Sequence, residues 1–129
     1  MTTASFISIV DDDPSVREGL TDLLNSIGFA TQMFISAEDF LASGDFDGTA
    51  CLITDGQMSG ITGFELHEQL THTGRRIPTI LITGFPNEND RARALRAGVY
   101  CYLPKPCSES DLLACLHCAI ASRRIQETP

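Results

Sequence analysis

The sequence predicts an α/β fold, a parallel sheet of five strands with helices on both faces. Three observations predict it. Five short β-rich runs alternate with helical segments along the chain. The third run, Ala50–Thr54, is apolar without alternation, as a strand covered on both faces is. Most helical segments open on a capping residue, and two close on glycine. Strand–helix alternation builds right-handed crossovers, which set helices on both sides of one sheet.

Phe6–Val10 is the first strand and ends abruptly at acids. Asp13-Pro14 opens a helix, with Asp as N-cap and Pro at the first helical position. Val16, Leu20, Leu23, Leu24 and Ile27 recur at helical spacing before Gly28 stops it. Thr31–Phe34 is a weaker second strand. Ser36 and Asp39 resemble a capping box, with Ile35 placed to staple onto Phe40. After the third strand, Thr62 and Glu65 form another capping box, ahead of Phe64, Leu66 and Leu70. Thr79–Thr83 is the fourth strand. Residues 87–97 form a short, Arg-rich helix ended by Gly98, and Val99–Leu103 is the fifth strand. Ser108 caps the last helix, with Leu112, Leu113, Leu116 and Ile120 facing inward. The division expected is one domain over 1–122 and a polar tail or start of a linker over 123–129.

A chain of 129 residues holds one domain and buries a core without disulfides or a structural metal. Its net charge of −8 argues against binding nucleic acid or an anionic membrane by itself, and suits a cation or a basic partner. No apolar run approaches the roughly 20 residues that span a bilayer. No signal peptide is seen at Met1–Ser8, so a soluble, cytoplasmic protein is expected. Five cysteines, an odd number in that setting, read as free thiols.

In an open parallel sheet, ligands bind beyond the carboxyl ends of the strands, at the point where strand order reverses. Strand one ends at Asp11-Asp12-Asp13, strand three at Asp55 and strand four at Thr83, and strand five runs into Lys105. Acids gathered on one rim repel each other, so at least one pKa should rise. A hard divalent cation relieves this, because carboxylate oxygens suit Mg²⁺. Thr83 adds a hydroxyl and Lys105 a mobile point charge. A carboxylate, a cation site, a hydroxyl and an ammonium are the parts needed for phosphoryl transfer.

Five motifs then occur in order over nearly the whole chain. They are Val10-Asp11-Asp12; Asp55-Gly-Gln-Met58 with Gly63 eight residues beyond Asp55; Ile82-Thr83-Gly84; Ala94-Leu-Arg-Ala97-Gly98; and Tyr102-Leu-Pro-Lys105-Pro106. Together they resemble the receiver domain of bacterial two-component response regulators, of the CheY-like superfamily. The stretches Ser36–Leu41 and Ile80–Gly84 are similar to the FixJ-like subfamily. The resemblance implies a flavodoxin-like (βα)5 fold with strand order 2-1-3-4-5. It implies that Asp55 accepts a phosphoryl group from the phosphohistidine of a sensor histidine kinase. It also implies that Asp12 ligates Mg²⁺ (or Mn²⁺) directly, Asp11 through water, with Asp55 and the backbone carbonyl of Gln57 completing the set. Lys105 then pairs with the phosphoryl group, Thr83 moves to hydrogen-bond it, and Tyr102 swings into the vacated space. The Lys105–Pro106 bond is implied to be cis.

Such a domain is a signalling phosphoacceptor that catalyses only its own phosphorylation and dephosphorylation. It switches an effector domain or downstream partner, with homodimerisation when phosphorylated. The FixJ-like texture favours a longer transcription factor continuing past Pro129. The alternative is an interaction module on the same fold that works without phosphate. A cofactor-binding enzyme is disfavoured, because no glycine-rich phosphate loop follows strand one.

Some residues depart from the family pattern. Ser59 stands where Pro is usual, Gly56 where a larger apolar residue is usual, and Cys107 where an aromatic is common. Gly56 and Ser59 are expected to loosen the loop beside Asp55. Other features have plain readings. Asp13 is an N-cap, Cys115 and Cys118 are thiols inside a helix, and His67-Glu68 lacks the second His of a zinc motif, since position 71 is Thr. Arg91, Arg93 and Arg96 are a solvated helix face beside the family's usual output surface.

Overall fold

The computed structural model describes residues 5–44 and 46–127, the side chains of 123–127 excepted. Five strands, β1 (Phe6–Val10), β2 (Thr31–Phe34), β3 (Thr49–Asp55), β4 (Thr79–Thr83) and β5 (Cys101–Pro104), alternate with five helices. The helices are α1 (Pro14–Ser26), α2 (Ala37–Ser43), α3 (Gly63–His72), α4 (Glu88–Arg96) and α5 (Glu109–Glu127). All strand pairs are parallel, in the order β2-β1-β3-β4-β5 that the resemblance implies.

The two-residue period of the strands sorts their side chains into two core layers. Ile7, Ile9, Cys51, Ile53, Ile80 and Ile82 join Leu24, Leu112 and Leu116 on the α1/α5 side. Val10 and Leu52 join Phe40, Leu66 and Leu70 beneath α2 and α3. Leu81 packs with Ala94 and Val99 beneath α4. Ser8 and Thr49 share a buried 2.8 Å hydrogen bond between β1 and β3, so neither hydroxyl is left without a partner.

The helix starts follow the predicted caps. Asp13 accepts from the N–H of Ser15, and Pro14 opens α1. Both halves of the Thr62/Glu65 box are present, at 3.1 and 3.0 Å. Ser108 accepts from the N–H of Asp111. Gly28 and Gly98 adopt positive φ, as helix-ending glycines do.

Several details differ from expectation. Helix α1 stops at Ser26, so Ile27 leaves the apolar stripe and is exposed. Ile35 is 57% exposed and is not buried against Phe40. Instead, Phe40 is held edge-on by Phe34 and Phe46, at 5.2 and 5.4 Å between ring centroids. Strand β5 begins at Cys101 rather than Val99, although Val99 is buried in the core. Helix α5 is described to Glu127, so residues 123–127, expected to be a polar tail, continue the helical backbone. Among the described residues, no helix is long and apolar enough to cross a membrane.

Candidate functional site

The carboxyl ends of β1 and β3 lie side by side where the strand order reverses. Val10 is in register with Thr54, so Asp11, just after β1, and Asp55, last in β3, emerge together. Both are buried, at 2% and 7% exposure, while Asp12 is exposed. One carboxylate oxygen from each of the three lies within 4.8 Å of the other two.

Lys105 reaches the same point from the loop after β5. Its Nζ donates to Oδ2 of Asp11 at 2.9 Å and lies 3.1 Å from Oδ2 of Asp55. The backbone holds this lysine in place. Its N–H donates to the carbonyl of Thr83 at 2.8 Å, and the Lys105–Pro106 peptide is cis, as the resemblance implies.

The acids are oriented as well. Oδ1 of Asp55 accepts from the N–H of Gln57 at 3.0 Å, and Oδ1 of Asp11 from the N–H of Asp13 at 2.9 Å. Arg17 donates to the carbonyl of Asp11 at 2.7 Å. No motif in the sequence marks Arg17. Its only signal is its place one turn into α1, within reach of the end of β1.

Burial is the largest influence on Asp55 and raises its pKa. The Gln57 N–H and Lys105 act against this, and the charge of Asp11 adds to it. Repulsion between the acids, expected from the sequence, is therefore present but secondary to desolvation. For Lys105, burial lowers the pKa, yet the hydrogen bonds and charges of Asp11 and Asp55 outweigh it and the pKa is raised. Three carboxylates against one ammonium leave formally two negative charges among oxygen donors, which fits a hard divalent cation.

Among the described residues, the side chains of Thr83 and Tyr102 make their hydrogen bonds outside this cluster. The buried Thr83 hydroxyl accepts from the N–H of Phe85 at 3.1 Å. Tyr102 is half-buried against the Leu81, Ala94 and Val99 cluster, and its hydroxyl accepts from the N–H of Asn87 at 3.4 Å.

With this arrangement in view, comparison with known proteins is decisive. Residues 7–117 match the response regulator receiver domain model. The chain belongs to the response regulator receiver domain family. The transcriptional regulatory protein TdiR of Thauera aromatica is 35% identical over 121 residues, covering 94% of this chain and 53% of TdiR. The response regulator protein TodT of Pseudomonas putida is 36% identical over 117 residues, covering 91% of this chain and 52% of TodT. The crystal structure of FixJ-N superposes with a TM-score of 0.81 at 31% identity, over 93% of this chain and 96% of that one. The receiver thus spans about half the length of the curated relatives it matches.

Two glycines of this receiver are set by close packing. A Cβ on Gly63, the first residue of α3, would collide with the backbone carbonyl of Asp55 and come within 3.0 Å of the Thr54 hydroxyl. Gly56, expected to loosen the loop, has a packing role too. A Cβ there would lie 2.7 Å from Cδ2 of Leu81 and 3.2 Å from Cβ of Thr83. Leu81 fills the space that a side chain at position 56 would take.

The remaining candidates resolve simply. His67 is buried, and burial lowers its pKa. All five cysteines are free thiols. Burial, then Cys115, push the Cys101 thiol up to about 12, and burial raises Cys107, so neither is a ready thiolate.

Proposed function

We propose that Asp55 is the phosphoacceptor of this receiver. The observation that carries the reading is the double engagement of Lys105, which bonds Asp11 and lies against Asp55 at the rim of an acidic cluster. In the proposed reaction, an Asp55 carboxylate oxygen attacks the phosphorus of a kinase phosphohistidine. The P–N bond breaks, an acyl phosphate forms, and the freed imidazole nitrogen leaves with the bonding pair. Asp11, Asp12, Asp55 and the Gln57 carbonyl would hold Mg²⁺ or Mn²⁺. Bound there, the ion supplies charge neutralisation between carboxylates and phosphoryl oxygens. Lys105 pairs with the new phosphoryl group, Thr83 turns its hydroxyl toward it, and Tyr102 follows inward.

On this reading the domain catalyses only its own phosphorylation and dephosphorylation. Its partners are a sensor histidine kinase, an output domain or downstream protein, and a second copy when phosphorylated, and it works in the cytoplasm. The relatives named as transcriptional or response regulators, about twice as long as this chain, support a regulatory output. The receiver unit itself is proposed to span 1–122.

Incubation with acetyl phosphate and Mg²⁺, followed by intact mass, tests the proposal. A gain of one phosphoryl group is expected, lost with EDTA and absent in Asp55→Asn. An unmodified mass under conditions that phosphorylate a control receiver would favour an interaction module that works without phosphate.

A further inference from the structure

Beside the acceptor, separate from the acidic cluster, lies a cavity of about 380 Å³ between the loop after β3, β4 and α4. That volume lies within the range of small-molecule sites. Its apolar walls are Met58, Phe64, Leu81, Ala94 and Tyr102, and Gly56 and Thr83 also line it. Arg93 lines it too, with its guanidinium 4.1 Å from the centroid of Phe64. Among the described residues, no carboxylate lies within ion-pair distance of Arg93. Glu65 feels its charge but is bonded to the N–H of Thr62. Asp90, also on the lining, accepts from the side chain of Asn87. Apolar walls, an aromatic face and a cation lacking a partner carboxylate define the chemistry of the occupant.

We propose that this cavity is a binding site for a compact aromatic or branched aliphatic monocarboxylate. The carboxylate pairs with Arg93, and the apolar body rests against Phe64, Leu81 and Tyr102. Glycine at position 56 lets Leu81 and Thr83 keep their places in the lining, since a side chain there would meet both. A second part rests on the phosphoacceptor reading. If Tyr102 moves inward on phosphorylation, it enters the volume the ligand uses, so ligand and phosphoryl group oppose each other.

The test is an NMR titration of the whole receiver with benzoate. Saturable shifts are expected at Gly56, Phe64, Leu81 and Ala94, with a Kd on the order of 1 mM, as a ligand of this size gives. Arg93→Ala, a change on an exposed helix face, should weaken binding about tenfold, and benzylamine should bind no better than to that variant. Absence of saturation by roughly 20 mM, shifts mapping elsewhere, or equal affinity in Arg93→Ala would overturn the site. Repeating the titration with beryllofluoride and Mg²⁺ tests the coupling. Weaker benzoate binding supports it. Unchanged affinity overturns the coupling alone, and the mass of the acetyl phosphate product judges the phosphoacceptor reading independently.

Discussion

The space beside Gly56 is occupied by Leu81, whose Cδ2 would lie only 2.7 Å from a Cβ at that position. Gly56 directly follows β3 and Leu81 is the middle residue of the neighbouring β4, and the N–H of Gly56 donates to the carbonyl of Ile82 at 2.8 Å. The backbone is therefore pinned where a side chain would have to enter, and only the leucine can yield. Gly56→Ala should destabilise by about 1–3 kcal/mol through overpacking. Leu81→Ala alone should cost about 2–5 kcal/mol through the cavity it leaves. The double variant should be clearly more stable than the sum of the two losses. Urea unfolding of all four proteins measures this, and strict additivity would refute the coupling.

The pairing of Lys105 with Asp11 and Asp55 makes a prediction about cations. The ammonium already offsets part of the acidic charge, so Lys105→Met should leave a more negative cluster. Thermal stabilisation by 10 mM Mg²⁺, about 10 mM being a working excess, should be larger in that variant than in the wild type. EDTA should return both to their starting values. Equal Mg²⁺ effects would show that Lys105 does not bear on the cation site.

Asp55 carries a pH signature of its own. Its folded pKa is raised above 3.8, chiefly by burial, so the native state holds the proton more tightly than the unfolded chain. Stability from this group is present at low pH and is lost as pH rises from about the unfolded value through the raised one. Asp55→Asn removes a buried charge and leaves Asp11 to pair with Lys105. Its melting temperature at pH 7 should exceed that of the wild type, with the difference shrinking toward pH 4. A variant that melts lower at pH 7 would contradict this.

His67 acts in the opposite direction along the pH scale. Burial lowers its folded pKa below 6.5, so the unfolded chain binds more protons in the window beneath that value. Stability should fall as pH drops from about 7 through the folded pKa. His67→Gln should flatten this part of the profile in melts between pH 7 and pH 5. An unchanged slope would assign the loss to other groups.

Ser59→Pro should raise stability. Ser59 is exposed, and its N–H donates no hydrogen bond among the described residues. Pro there restricts the unfolded chain, a gain of about 0.4–1 kcal/mol and a few degrees in melting temperature. A level or lower melting temperature would show that the backbone at 59 does not accept proline.

Much of this protein was written locally in its sequence. Caps at Asp13, Thr62 and Ser108 mark helix starts because their side chains bond N–H groups two or three residues away. The apolar run of β3 and the strand–helix alternation carry the parallel sheet, since period and burial are local properties of the chain. Acids and a lysine at strand ends carry the site, because parallel strands bring like ends to one rim. Other features came only with the tertiary structure. Phe40 meets Phe34 and Phe46 instead of Ile35, and Arg17 reaches the carbonyl of Asp11. The dominance of burial over repulsion at Asp55 also appears only there. Gly56 is the clearest case. In sequence a glycine reads as freedom, and in the fold it is the one residue type that leaves room for Leu81. Propensity and pattern act between near neighbours along the chain. Steric exclusion and desolvation depend on which distant segments the fold presses together, and these decide how the rim is finished.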